Sequence, residues 1–88
     1  MDKITEAKLA DFIKNRAIKS LSIIQNQEGK FQIIAKLTWK EGDHELVTTR
    51  GTPRNWASLD RLARHITENY GDTQNVPICL TLLSKPQT

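Results

Sequence analysis

The chain has 88 residues, of which 38% are hydrophobic and 26% are charged, and its formal net charge at pH 7 is +3. This length fits a single domain over residues 1–88 with a thin core, and the mildly basic balance favours an anionic partner such as nucleic acid or an acidic protein surface. The composition excludes a disulfide within the chain, because Cys79 is its only cysteine.

The same features predict the cellular compartment. An isolated cysteine fits a reducing compartment, and no apolar run approaches the ~20 residues that a membrane span needs. The N-terminal residues, which begin Met1-Asp2-Lys3, lack the apolar core of a signal peptide. We therefore expect a cytoplasmic protein with no membrane partner.

The first predicted element is an amphipathic helix over residues 3–17. Leu9, Phe12 and Ile13 recur at the three- and four-residue intervals that place side chains on one face of a helix. Lysines and acids fill the positions between them. We expect the apolar face to pack against a sheet.

Three strands are predicted next. The first covers residues 20–25 and is followed by a hairpin loop, 26–29, in which Gly29 can adopt a positive φ. The second begins at residue 31 and has the clearest pattern of the chain. Five apolar side chains alternate along it with other residues and should share one face: Phe31, Ile33, Ala35, Leu37 and Trp39. The third covers residues 44–50, and the Gly-Thr-Pro sequence that follows ends it.

A second helix is predicted from about residue 57 or 59 to Tyr70, with Ser58 as its N-cap and Asp60 in its first turn. Arg61, Arg64, His65 and Glu68 should lie on its solvent side, opposite an apolar stripe. Gly71 fits the position just after the helix. A last strand over residues 76–82 should bury Cys79 as a structural thiol, and residues 85–88 should be a frayed tail.

These elements predict an α+β fold with the order α-β-β-β-α-β. The first three strands should form an antiparallel meander, and the second helix should cross over to a fourth strand parallel to the first. In the numbering of the predicted strands we favour the spatial order 4-1-2-3 over 1-2-3-4, with both helices on one face. Ile34 and Val47 on the open face suggest a covering partner or a homodimer.

No pattern in the sequence indicates catalysis, a metal or a cofactor. His44 and His65 lie in different predicted elements, and Cys79 is alone in a strand, so no set of metal ligands is apparent. The chain contains no glycine-rich phosphate loop, and its carboxylates are evenly spread. We expect a non-catalytic protein without metal or cofactor.

The most informative feature is a cluster of arginines. Residues 50–65 contain four of the five arginines and one aspartate, whereas the rest of the chain holds nine basic and nine acidic residues. Guanidinium groups pair with phosphate through two points, and a helix N-terminus also attracts anions. We therefore predict a nucleic-acid-binding surface. Its residues would be Arg50, Arg54, Arg61 and Arg64, with Trp56 as a stacking ring and Lys36 and Lys40 widening the positive field.

Each of these residues also has a structural interpretation. Asp60 and Arg64 have the four-residue spacing of a surface ion pair on a helix. Arg50 could pair with an acid of its own hairpin, Glu45 or Asp43, and Trp56 could be a core residue. The second functional hypothesis is an adaptor that binds another protein, or a second copy, through an edge strand or the open sheet face.

The segment around the arginines resembles a known group of proteins. Between a strand and a helix the sequence has Arg50-Gly51, Arg54, Trp56 and then Ser58-Leu59-Asp60. This order resembles small proteins of bacterial plasmids and integrative elements of the ParC-like partition-associated type, over roughly residues 30–70. The resemblance implies a shared loop–helix geometry and an accessory role in DNA maintenance or its regulation, with DNA favoured over RNA. It implies no catalytic activity.

Overall fold

The structure is a computed structural model that describes residues 2–70 and 76–82. These residues form two helices and five strands, which confirms the α+β class. Gly71 and the predicted tail, 85–88, lie outside the described residues. The elements in chain order are β1 (Asp2–Thr5), α1 (Glu6–Lys14), β2 (Ile18–Gln25), β3 (Phe31–Leu37), β4 (Asp43–Val47), α2 (Leu59–Asn69) and β5 (Ile78–Thr81).

The five strands form one mixed sheet in the order β1-β4-β3-β2-β5. β2, β3 and β4 are the predicted antiparallel meander, and β5 pairs in parallel with β2. The predicted four strands are therefore arranged as 4-1-2-3. The predicted element order was incomplete, because β1 adds an unforeseen strand, parallel to β4, at the other edge.

The prediction that the first helix begins at residue 3 was wrong. Residues 2–5 are extended, and the Thr5 hydroxyl caps α1 by accepting a hydrogen bond from the backbone N–H of Lys8 at 3.4 Å. Ile4 and Leu9, the residues just before and four after this cap, are both buried in the core, which is the spacing of a hydrophobic staple. The helix also ends early, at Lys14, because Arg16 has a φ of 58°.

The third predicted strand is also shorter than expected, because the chain turns after Val47. The backbone N–H of Gly51 donates to the carbonyl of Thr48 at 2.9 Å, and the Thr48 and Thr52 hydroxyl oxygens lie 2.8 Å apart. Gly51 has a φ of 87°, a conformation that other residues rarely adopt. Arg50 therefore lies in an exposed turn, residues 48–52, and not in a strand.

The second helix follows the prediction closely. The Ser58 hydroxyl caps it by accepting from the backbone N–H of Arg61 at 3.2 Å, and Asp60 lies in its first turn. Leu62 and Ile66 are buried on its inner side. Neither helix of the described chain is long and apolar enough to span a membrane.

Both helices pack on one face of the sheet, as predicted, and enclose a single core. The alternation along β3 orients this core, but Trp39 does not belong to it, because β3 ends at Leu37 and Trp39 is 63% exposed. The buried residues of the core are Ile4, Leu9, Ile13, Ile18, Leu21, Ile23, Phe31, Ile33, Ala35, Leu37, Leu46, Trp56, Leu62, Ile66 and Tyr70.

One further expectation about the sheet was wrong. Cys79 is exposed, because β5 is a short edge strand that spans only Ile78–Thr81. On the open face, Ile34 and Val47 are buried within the single chain, so they do not require a covering partner.

Candidate nucleic-acid interface

The connection between β4 and α2 is held firmly to the sheet. The backbone N–H of Arg54 donates to the carbonyl of Leu46 at 3.0 Å. Phe31 and Trp56 exchange two backbone hydrogen bonds of 2.9 Å. The first residue of β3 is therefore paired with this connection. The backbone around Arg54 therefore has a fixed path.

Trp56 is a core residue and not a stacking ring. Its side chain is 7% exposed, and its ring centroid lies 5.1 Å from that of His65. A base could not stack on it without opening the core. The structural interpretation of Trp56 is therefore the one that the structure bears out.

Arg54 uses the buried Trp56 ring as a support. Its guanidinium carbon lies 5.2 Å from the ring centroid, within the range of a cation–π interaction. The side chain is half-buried, and its Nε has no hydrogen-bond partner among the described residues. This contact holds the guanidinium against the ring and leaves Nε without an acceptor among the described residues.

The other three arginines are exposed. Arg50 lies in the 48–52 turn, and Arg61 and Arg64 lie in the first half of α2. Within residues 2–70 and 76–82, no acid forms an ion pair with any of the four arginines. The pairs considered above for Arg50 and Arg64 are therefore not found. We refer to Arg50, Arg54, Arg61 and Arg64 as the arginine surface.

A hydrogen-bonded cluster beside Arg54 was not predicted. Glu6 Oε1 accepts from His65 Nε2 at 2.6 Å and from the Tyr70 hydroxyl at 3.2 Å. His65 Nδ1 lies 3.2 Å from the side-chain nitrogen of Asn69. His65 was expected to be solvated, but its side chain instead joins the first turn of α1 to the end of α2.

The electrostatics of this cluster keep the Tyr70 phenol protonated. Burial raises the pKa of Tyr70 well above its usual value, and the Glu6 carboxylate raises it further by its charge and by the hydrogen bond. The Arg54 guanidinium opposes this shift. The cluster lies next to Arg54, because the Trp56 ring contacts both the Arg54 guanidinium and the His65 ring.

Lys36 and Lys40 lie away from the arginine surface. Lys36 pairs in register with Asp43, the first residue of β4, whereas the arginine-bearing connection follows the last residue, Val47. That separation is about 14 Å along the strand. Lys40 Nζ lies 3.0 Å from Asp2 Oδ2, and this hydrogen bond and charge lower the pKa of Asp2.

Lys3 contributes a cation that the sequence analysis did not assign to the site. Its Nζ donates to the carbonyl of Gly51 at 3.2 Å, next to Arg50. A helix that begins at residue 3 would place Lys3 among the lysines and acids of its solvent side. Thr5 as an N-cap moves the helix start to Glu6, but only the pairing with β4 shows that Lys3 lies on a strand.

Comparison of the chain with family models, with curated proteins and with solved structures finds no match. In the part of the chain that the structure describes, no three His, Cys, Asp or Glu side chains are grouped so that they could hold a metal ion. The functional interpretation therefore depends on the geometry and charge of the arginine surface.

Proposed function

We propose that this protein is a non-catalytic nucleic-acid-binding module and that its arginine surface contacts phosphates. The observation that carries the proposal is that four arginines within residues 50–64, three of them exposed, have no acidic partner among the described residues. Guanidinium groups without acidic partners are suited to phosphate. The resemblance of residues 30–70 supports an accessory role on a bacterial mobile element, with DNA favoured over RNA.

Within this surface the side chains, more than the helix N-terminus, would bind the ligand. The Ser58 hydroxyl already accepts from the Arg61 N–H, and Asp60 lies exposed in the first turn. An acid at that position repels phosphate. Arg54, oriented on Trp56, would be the fixed contact, while Arg50 and the two α2 arginines would extend it.

Salt dependence tests the proposal. With four to five phosphate contacts, the plot of log affinity against log salt should have a slope of about −3 to −5. The double variant Arg50→Ala/Arg54→Ala should make this slope shallower by about 2, as measured by fluorescence anisotropy with a labelled oligonucleotide.

A matched control removes two positive charges elsewhere. Lys14→Gln/Arg16→Gln changes the net charge by the same amount on exposed residues at the end of α1. It should leave the slope nearly unchanged. Equal losses in the two double variants would show that only net charge matters and would refute the assigned surface.

A second candidate function, protein recognition, has one specific observation in its favour. Ile78, Leu80 and Leu82 on and just after edge strand β5 are 43–57% exposed, and residues 76–82 carry no charge. Uncharged apolar edges favour pairing with another strand. In that case the arginine surface could bind an acidic protein, and the chain would act as an adaptor or a homodimer.

A further inference from the structure

Only one of the chain's five Phe, Trp and Tyr side chains is exposed. Phe31, Trp56 and Tyr70 are buried, and Phe12 is half-buried. Trp39 is 63% exposed and lies just beyond the end of β3. Burial of a large aromatic ring stabilises a fold, so a ring that stays exposed to water gives up that stabilisation and is a candidate ligand contact.

The Trp39 ring has a defined position. It meets Phe12 edge-to-face, with centroids 6.0 Å apart and planes at 82°. Clefts of about 540 and 250 Å³ flank it, and both are also lined by Leu37 and Lys40. The Trp39 ring therefore packs on Phe12 and lines both clefts, which are open to solvent.

The two clefts carry more positive than negative charge. Lys8, Lys19 and Lys36 line them and form no ion pair within the described ranges. Lys40 is paired with Asp2, which leaves two other lining acids, Glu41 and Asp43, and a fifth lysine, Lys3. This balance of five lysines and three acids complements an anionic ligand.

Lys3 connects these clefts to the arginine surface. It lines the smaller cleft beside Trp39, and its ammonium group binds the carbonyl of Gly51 in the 48–52 turn. The two ends of β4, about 14 Å apart, are therefore linked by a cation on the neighbouring strand. A single extended polyanion could contact both ends.

We propose that Trp39 is a stacking platform for an unpaired base, so that the nucleic acid bound by this protein contains a single-stranded segment. Base–aromatic stacking tolerates any sequence, and flanking lysines hold the backbone. Inside a duplex each base face is already stacked on its neighbour, so only the two terminal pairs could reach this ring. The inference rests on the proposed function and specifies its ligand.

Anisotropy with one labelled strand, free and in a duplex, tests the inference. Trp39→Ala should weaken single-strand binding by about 5- to 150-fold, the range for loss of one stacked base, and should change duplex binding by less than about twofold. Trp39→Phe should retain most of the single-strand affinity and also shows whether a loss in the alanine variant reflects misfolding.

Intrinsic fluorescence supplies a second measurement. The chain has two tryptophans, and Trp56 is buried, so quenching by the single strand should come from Trp39 and disappear in Trp39→Phe. Unchanged single-strand binding by Trp39→Ala, or an equal loss for duplex, would overturn the inference. So would a change of oligomeric state in this variant, which would indicate a second copy on the ring.

The outcomes separate this inference from the proposed function. If Arg50→Ala/Arg54→Ala loses affinity while Trp39→Ala does not, only the stacking platform is refuted. If the wild-type protein binds neither strand nor duplex at low salt, both fail. If both variants lose affinity, and Trp39→Ala loses it only for single strands, the result supports both the proposed function and the stacking platform.

Discussion

The Arg54 side chain makes one contact that stabilises the fold and has one buried donor that destabilises it. Its cation–π contact with Trp56 is stabilising by about 0.5–2 kcal/mol, but a buried donor without an acceptor costs about 1–3 kcal/mol. These two contributions nearly cancel. A residue that adds little to stability yet is held in one orientation is suited to contact a ligand.

Replacement of Arg54 should therefore separate stability from binding. Arg54→Met keeps an apolar chain on Trp56 and removes the unpaired Nε, so we expect the free energy of unfolding to change by less than about 1 kcal/mol. Affinity for an oligonucleotide should fall about tenfold, the effect of a lost charge-assisted hydrogen bond. Urea unfolding and anisotropy measure the two quantities.

Arg54→Lys is the matched control, because it keeps the charge but loses the planar fork. It should bind more tightly than the methionine variant and more weakly than wild type. A loss of stability above about 3 kcal/mol in Arg54→Met would instead identify Arg54 as a structural residue.

The sequence predicts where positive charge is concentrated, but it does not predict which side chains form hydrogen bonds with each other. The excess of arginine in residues 50–65 is visible in the sequence, and the structure leaves it without acidic partners among the described residues. The contact between Glu6 and His65 was not predictable, because 59 positions separate the two residues and no local spacing relates them. Trp56 was open to two interpretations, since an aromatic in a loop fits either a core or a ligand platform.

Among the helices and strands, those with strict alternation and the capped second helix were predictable. β1 was not, because four residues are too few for a pattern and Ile4 also fits the helical spacing of α1. Its pairing partner β4 lies about forty positions away, so only tertiary structure selects the extended conformation. β4 ends at Val47, before the predicted residue 50, because the hydrogen bond from Gly51 to Thr48 begins the turn ahead of the Gly-Thr-Pro sequence.

The hydrogen bonds of Glu6 link α1 to α2. Because one of them comes from the Tyr70 hydroxyl, we expect the stability of the fold to depend on the titration of Tyr70. The pKa of Tyr70 is raised in the folded state above the ~10 of an unfolded tyrosine. The folded state therefore holds this proton more tightly. Its contribution to stability is complete below about pH 10 and is lost as the pH rises above that value.

Comparison of wild type with Tyr70→Phe isolates this effect from the titration of lysines. Near neutral pH the variant should be less stable by about 0.5–1.5 kcal/mol, because it lacks the hydrogen bond to Glu6. Above about pH 10 the difference should shrink, by at most about 1.4 kcal/mol per pH unit. Urea unfolding followed by circular dichroism measures it, and a constant difference up to pH ~11 would contradict the shift.

The two edges of the sheet differ in character. The β1 edge carries Lys3 and leads from the arginine surface to Trp39, whereas the β5 edge is apolar and uncharged. A sheet with one charged and one apolar edge can bind a polyanion along the first and another strand along the second.

We expect weak, concentration-dependent self-association through β5. Four residues of strand bury much less than the roughly 800 Å² per partner of a stable dimer, so monomers should dominate at low concentration. Leu80→Lys should abolish the association in sedimentation velocity, because it places a charge on the apolar row. Gln27→Lys in the 26–29 loop adds the same charge elsewhere and should have no effect. Identical sedimentation of wild type and Leu80→Lys at all concentrations would exclude pairing through β5.

The exposure of Cys79 has a practical consequence. It is the chain's sole thiol and lies on β5, across the full width of the sheet from β1, about 19 Å away. A maleimide dye can therefore be attached there without altering any other residue. Energy transfer from that dye to acceptors placed at either terminus of an oligonucleotide would report the polarity, 5′ to 3′, with which the ligand runs across the protein.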